Sequence, residues 1–376
     1  MCIFVNINKS RKIYYNKNNV QDKYCPLLRC PISGEPLKIE VLERHQKQYN
    51  NCNIDEIYTA ILYSPNGMIF PIIYGVPRLL TEAIILFKDF FNTHLPDFKT
   101  KENDILSKHG SIIQECYKKN KNITACFSFE WNLLKRDSTD KIWHQDEKTT
   151  VKKLFKEINE HDVRSKNIVE IGCGHGFNSE ILAQNGAFVF AMDISFSIEK
   201  AYLNQNHENI FYIQGDLQYP PFEKHSFDIV YSSGVIHYTK DPRLSFKSIE
   251  ALAKEQGKFC LWLYKPYNSI IHNLFLKARH ITKHISPKVL FYLFIFTLIP
   301  IYYIVLYSKK RKMDWREIMI DLINGFAPFY RFELIPEDVI SWYKAEEYSN
   351  IKITDTNIFG FAIVGTKLLR IKNHED

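Results

Sequence analysis

The feature that most limits the fold is a short apolar strand running straight into glycines and then into a helix. Residues 167–171 read Asn-Ile-Val-Glu-Ile. Gly172, Cys173, Gly174, His175 and Gly176 follow, and a helical stretch over 178–184 is closed by Asn185-Gly186. A turn this tight needs residues without a Cβ. It also bares the backbone N–H groups at a helix start, where a ligand can lie against them. The alternation then repeats. Strands are expected at 188–192, 210–214, 227–231 and 257–264. Helices are expected at 151–160, at 197–206, and from Pro242 to 254 with Asp241 as N-cap. Strands separated by helices at this spacing predict an α/β fold with a doubly wound, mostly parallel, Rossmann-like sheet. Stretches 351–354 and 359–364 read as a terminal strand pair.

Asp193 ends the second of these strands, seventeen residues beyond Gly176. A carboxylate there can accept both hydroxyls of a ribose, which suits a dinucleotide and S-adenosylmethionine alike. Two details separate them. The glycines are spaced G-x-G-x-G, whereas the dinucleotide fingerprint is G-x-G-x-x-G. Glu170 stands two residues before the first glycine. Its charge would repel a pyrophosphate and favour a ligand carrying an ammonium and a sulfonium.

Several motifs in order make the reading more specific. They are Val169-Glu170-Ile171-Gly172-Cys173-Gly174-His175-Gly176, Met192-Asp193-Ile194-Ser195, Gln214-Gly215-Asp216-Leu217, Phe227-Asp228-Ile229-Val230-Tyr231-Ser232 and Gly234-Val235-Ile236-His237-Tyr238. With them, residues 165–265 resemble class I S-adenosylmethionine-dependent methyltransferases of the type 11 group. The resemblance implies S-adenosylmethionine as cofactor and no catalytic metal. It implies that Glu170, Gly172, Cys173, Gly174 and Gly176 surround the methionine part and that Asp193 with Ile194 holds the ribose. Asp216 would reach the adenine amine, with Leu217 beside the ring and Ser232 completing the cofactor set.

Methyl transfer mainly asks a protein to align nucleophile and sulfonium. An oxygen nucleophile often needs a base within hydrogen-bond reach. His237, just past the fourth strand, is the candidate, since histidine titrates near neutrality. Packing against the cofactor is the competing role. The loop after that strand lacks the Asn-Pro-Pro-Tyr of many enzymes that methylate amide or base nitrogens, and it lacks a Pro-Cys pair.

Upstream, Phe127-Ser128-Phe129-Glu130-Trp131 resembles a Phe-x-x-Glu-Trp stretch that precedes the catalytic domain in several such enzymes, which implies a flap with Trp131 facing the site. Downstream, Phe326 to Arg331, followed by Pro336-Glu337-Asp338-Val339 and Trp342, resembles a segment of the cap over the active site. Tyr330 and Arg331 are its candidate contacts to an acidic or sugar-like acceptor. Ordinary helix packing and capping is the alternative.

Residues 1–22 read as a loose segment, and 23–80 as a small α+β unit. Leu28-Arg29-Cys30-Pro31, Gly34, Pro36-Leu37 and Asn66-Gly67, Phe70-Pro71-Ile72, Gly75-Val76-Pro77 resemble the zinc-ribbon-like domain of an activator subunit of RNA and protein methyltransferases. A structural zinc needs two Cys-x-x-Cys pairs. Here Ser33 replaces the partner of Cys30, and the second pair is missing around Tyr63-Ser64-Pro65. The expectation is the ribbon fold without metal, packed on the catalytic domain or shaping its acceptor side. Asn66-Gly67 reads as a two-residue hairpin turn. Residues 81–150 then form a helical linker or flap, and 151–376 the methyltransferase domain with a helical cap over about 266–345.

A net charge of +7 spread over 376 residues does not compel nucleic-acid binding. Eight scattered cysteines and no evident signal peptide suggest reduced thiols in a cytoplasmic protein. Residues 289–307 are nineteen residues without a charge, with Lys288 before and Lys309-Lys310-Arg311-Lys312 after. That length permits a membrane span. A span would, however, separate the terminal strands from the rest of one sheet. The expectation is a helical insertion, either buried in the cap or in peripheral contact with lipid at the inner face of a membrane. The expected chemistry is O-methylation of a small-molecule acceptor: a sugar, a glycolipid precursor or a natural-product intermediate. An RNA or protein acceptor, and a non-catalytic cofactor-binding module, are the rivals. The oligomeric state is not legible.

Overall fold

The structure is a computed structural model that describes residues 25–50, 52–133, 147–159, 162–308 and 314–369. The expected loose segment 1–22 and the basic run 309–312 lie outside the described residues. Eleven strands form one sheet. In chain order they are β1 (Lys38–Gln48), β2 (Asn53–Tyr63), β3 (Ile69–Ile73), β4 (Val76–Leu79), β5 (Asn167–Ile171), β6 (Phe188–Asp193), β7 (Ile210–Gly215), β8 (Phe227–Ser233), β9 (Ala253–Tyr264), β10 (Tyr348–Thr356) and β11 (Gly360–Lys367). Their order across the sheet is β1-β2-β3-β4-β7-β6-β5-β8-β9-β11-β10. The six strands from β4 to β9 in that order are parallel to their neighbours. The three pairs of the N-terminal ribbon and the two of the terminal hairpin are antiparallel.

The central strands are buried along nearly their whole length and mostly apolar, because helices cover both faces. In β5, Ile168 to Ile171 are all buried. Chain order reverses around β5, which has β6 on one side and β8 on the other. The carboxyl ends of these strands therefore open a crevice at the glycine loop. The far edge, β1, carries Lys38, Glu40, Glu43, Arg44 and Lys47, and its register slips between Val41 and Arg44. Charges and a bulge of this kind discourage edge-to-edge pairing.

The ribbon is continuous with the catalytic sheet. β4 pairs in parallel with β7 through Arg78 opposite Gln214 and Leu79 opposite Gly215. Arg78 is fully buried at this seam. It donates to the Glu199 carboxylate at 2.7 Å and to Gln214 Oε1 at 3.2 Å. Tyr202 donates to Glu56 at 2.5 Å, and Arg29 pairs with Glu223 at 2.8 Å. Where the turn after Cys30 meets the turn at Asn66, Cys30 Sγ lies 3.8 Å from Asn66 Oδ1, and the Ser33 and Ser64 hydroxyls meet at 3.5 Å. Hydrogen bonds join the two turns there. The Asn66-Gly67 turn is wider than expected. Tyr63 pairs with Ile69, which leaves five residues in the connection, and the Asn66 side chain accepts from the Met68 N–H.

Several boundaries also move. The helix capped by Asp241 ends at Glu250, and β9 starts at Ala253, earlier than the apolar run announces. The cap itself is as expected, with the Leu244 N–H donating to Asp241 at 2.9 Å. Residues 81–150 are dominated by one helix, Phe98–Leu133, whose 36 residues span about 54 Å at 1.5 Å each. Its weak amphipathic pattern hid that length, because it meets the ribbon, the catalytic sheet and the cap on different faces along its course.

The cap follows β9: helices Ile270–Thr282, Pro287–Phe296, Leu298–Ser308, Trp315–Phe326 and Pro336–Ala345. Leu290, Phe294, Ile299, Ile318, Met319 and Ile323 build its core with Cys126 of the long helix. Residues 289–307 are two helices bent by 49° at Thr297, and no single described helix is long and apolar enough to cross a membrane. β11 returns beside β9, so both ends of the insertion are tied to one sheet.

Candidate active site

Each acid at the crevice is held by the strand end that carries it. Asp193 closes β6, is buried, and accepts from the Gly174 N–H and the Ser195 N–H, each at 2.8 Å. These bonds aim the carboxylate at the glycine loop. Burial raises its pKa against the pull of the bonds from Ser195 and Gly174. Glu170, near the end of β5, accepts from Ser179 Oγ and from Asn178 Nδ2 at 3.2 Å. Burial pushes its carboxyl up to about 7, with Asp193 adding to the rise.

The loop glycines are there for space as well as for backbone angles. Gly172, Gly174 and Gly176 all have positive φ. A Cβ on Gly174 would lie 2.6 Å from the Trp131 indole. One on Gly172 would strike Val235, and one on Gly176 the Tyr212 hydroxyl. Trp131 also stacks on His175, with centroids 5.0 Å apart. The long helix thus lays its last turns over the loop, where the Phe-x-x-Glu-Trp resemblance places a flap. Cys173 is buried among apolar side chains, as a packing residue would be.

Asp216 follows β7 and is also buried, but its environment differs from the one implied by the resemblance. Lys119 Nζ pairs with it at 2.8 Å, and Asn120 Nδ2 donates to it at 3.1 Å. Asn120 also donates to Glu82 at 2.8 Å, and burial raises the Glu82 carboxyl. Lys119 and Asn120 were not legible as site residues, because nothing along the long helix marks which polar position turns inward; Glu82, just before the helix Ala83–Leu86, carries no local signal either. A cavity of about 400 Å³ lies next to this cluster, lined by Lys119, Gln218, Tyr219, Lys240 and Phe332 among others. Its lining includes none of the loop glycines. Leu217 is buried at the same turn. The Ile194 carbonyl accepts from Gln214 Nε2 at 3.0 Å, which ties the loop after β6 to the seam between β4 and β7.

Two expected residues take other roles. Ser232 donates to the Ile171 carbonyl at 3.1 Å, so its hydroxyl ties β8 to β5. His237 is fully buried, with its ring 4.2 Å from Tyr264 and 4.5 Å from Tyr238. The Tyr264 N–H points at Nδ1 from 3.4 Å, which assigns the proton to Nε2, and Nε2 has no partner. Burial and then the Arg331 charge hold its pKa well below the ordinary histidine value. The expected base is therefore a neutral imidazole that offers an N–H.

Arg331 does come to the site, with its guanidinium 4.4 Å from the centre of the Tyr264 ring and 2.7 Å from Glu333. Glu333 in turn meets His272 at 2.8 Å. Tyr330 packs on Phe329, one residue further from this cluster. His237 and Tyr238 after β8, Tyr264 at the end of β9 and Arg331 from the cap thus come together in one cluster. Among the described residues no group of three or more His, Cys, Asp and Glu is placed to hold a metal ion.

Residues 169–261 match the family described as a methyltransferase domain. With the strand order and the acids above, this stretch is a class I S-adenosylmethionine-dependent methyltransferase domain. A ubiquinone biosynthesis O-methyltransferase of Coxiella burnetii is 32% identical over 131 residues, covering 31% of this chain and 56% of that protein. A malonyl-[acyl-carrier protein] O-methyltransferase of Legionella pneumophila is 29% identical over 109 residues, covering 28% of this chain and 38% of that one. The chain thus spans about half the length, or less, of these curated relatives. Among solved structures, magnesium protoporphyrin IX methyltransferase of Synechocystis PCC 6803 with bound SAH aligns over 69% of this chain and 99% of that one, at 13% identity and a TM-score of 0.40.

Proposed function

We propose that this chain transfers a methyl group from S-adenosylmethionine to a hydroxyl of a small-molecule acceptor. The observation that carries the cofactor side is the set of buried acids at consecutive strand ends: Glu170 on β5, Asp193 on β6 and Asp216 after β7, around glycines that tolerate no Cβ. They fit a ligand with a cationic amino-acid end, a ribose and an adenine. Glu170 lies at the loop, Asp193 is oriented by the Gly174 and Ser195 N–H groups, and Asp216 lies beside the Leu217 side chain. When bound, the cofactor supplies an electrophilic methyl carbon on a sulfonium.

What the chain itself does is position and exclude water. Trp131 and the long helix cover the loop. Tyr238 and Tyr264 present a wall whose hydroxyls are 3.2 Å apart. His237, neutral and protonated at Nε2, is placed to orient an acceptor oxygen by donating to it. The choice of oxygen as acceptor atom leans on the O-methyltransferase relatives. A greasy acceptor fits the cap, whose two bent helices expose Val289, Tyr292, Phe296, Ile301 and Ile304. Scattered exposed apolar residues are normal, but several gathered along one bent helix pair mark an interaction surface. On this reading the cap rests on lipid while the crevice receives an acceptor partitioned there.

Calorimetric titration with S-adenosylmethionine, repeated with Asp193→Ala, tests the cofactor side. Micromolar binding that weakens at least about tenfold, roughly 1.4 kcal/mol, is expected. Folded wild-type protein that binds a nicotinamide dinucleotide and no S-adenosylmethionine would overturn the reading.

A further inference from the structure

Glu130 has no place in the cofactor set above, yet it is fully buried, and both of its carboxylate oxygens lack a hydrogen-bond partner. Buried carboxyl groups are normally paired, because an unpartnered one loses its hydration with nothing in return. Its place on the long helix is well determined. Phe127, three residues before it, packs on Tyr238 with centroids 5.3 Å apart. Trp131, one residue after it, covers Gly174. Glu130 therefore sits between the glycine loop and the tyrosine wall, where cofactor and acceptor must meet.

Burial pushes the Glu130 carboxyl well above the usual range, and the charges of Asp321 and Asp193 add to the rise. Glu130 in turn raises Cys126 on its own helix and Tyr238 and Tyr264 on the opposing wall. Arg279 lies near Cys126 and Arg331 near the two tyrosines, but neither pairs with Glu130, whose carboxylate oxygens have no partner. A buried acid left unpaired beside other acids calls for a positive ligand.

We infer that Glu130 binds the cationic sulfonium centre of the cofactor and sets the preference of the site for S-adenosylmethionine over S-adenosylhomocysteine. The inference rests on the cofactor reading above. Its consequence concerns exchange. Transfer of the methyl group converts a sulfonium into a neutral thioether, so the attraction to Glu130 vanishes with the reaction and the product leaves more easily. A carboxylate that stabilises the charged reactant does not lower the barrier of a step that disperses this charge, so Glu130 acts in binding and discrimination.

The test compares three probes by calorimetry on the full chain: S-adenosylmethionine, the cationic analogue sinefungin, and S-adenosylhomocysteine. Glu130→Gln keeps the shape of a protonated carboxyl. It is expected to weaken the two cationic probes about tenfold and S-adenosylhomocysteine less than twofold, which also serves as the folding control. A second measurement needs no variant. Pairing with a cation forces a carboxyl of raised pKa to ionise, so S-adenosylmethionine should release more protons than S-adenosylhomocysteine near pH 7, read from binding heats in buffers of different ionisation enthalpy. An unchanged probe ratio in the variant, or equal proton release by the wild type, would overturn the role of Glu130 while leaving the cofactor reading intact. Failure of all three probes to bind folded wild-type protein would overturn both.

Discussion

Arg78 and Glu199 give the most direct test of how the ribbon is joined to the catalytic sheet. The pair is asymmetric. The Arg78 side chain is 0% exposed, whereas that of Glu199 is 38% exposed. Replacing Arg78 with Met leaves Glu199 able to turn to water, and the loss is then a charge-assisted bond and a bond to Gln214. Bonds of this kind are worth about 1–3 kcal/mol. Replacing Glu199 with Gln instead strands a guanidinium in the interior, held only by Gln214 Oε1 and by the Ile73 carbonyl at 3.4 Å. Removing one partner of a buried pair costs about 3–5 kcal/mol, because the remaining charge is uncompensated. The amide still accepts from Arg78, so the lower end of that range is expected. Glu199→Gln should thus destabilise more than Arg78→Met, by about 1 kcal/mol, and the double variant should be more stable than Glu199→Gln alone. Urea denaturation followed by circular dichroism measures all three, with the slope checked for constancy. If Arg78→Met proved the more damaging, the seam would owe its strength to packing of the arginine stem, and the electrostatic reasoning would be wrong. The seam also bears on the site, since Gln214 connects Arg78 to the Ile194 carbonyl beside Asp193.

Other expectations are narrower. Gly174→Ala should lower S-adenosylmethionine affinity at least about tenfold and displace Trp131, seen as a change in intrinsic fluorescence, because its Cβ would lie 2.6 Å from the indole. Burial pushes Glu157 and Glu170 to about 7, above the unfolded value of about 4.3, so the folded state binds more protons in that window. The stability they confer is full below the unfolded value and is lost as pH rises toward 7. Denaturation of the ligand-free protein at pH 5, 6, 7 and 8 should show the decline, and Glu157→Gln should flatten it. Vesicles containing anionic lipid should co-sediment the protein, and Phe296→Ser with Ile304→Ser should abolish this without altering cofactor affinity. Equal sedimentation of that variant would remove the cap face as the lipid contact.

Patterns along the chain determined a good deal. Local sterics demand glycine where backbone turns sharply, so the strand, the loop and the helix around Gly172, Gly174 and Gly176 were legible, as was the N-cap at Asp241. Apolar runs revealed the parallel strands because burial on both faces leaves no polar alternation. The acids Glu170 and Asp193 could be chosen because each stands near a strand end that the alternation locates, whereas Asp216 came from the family resemblance. Tertiary structure decided the rest. That Ser232 bonds to a neighbouring strand, that Lys119 and Asn120 reach Asp216, and that burial with the Arg331 charge keeps His237 neutral depend on contacts between residues far apart in the chain, which no local period encodes. The ribbon shows the same division. Its turns and strands could be read locally, but its joining to β7 through Arg78 could not, because a buried arginine looks like any other arginine until the strand that receives it is in place.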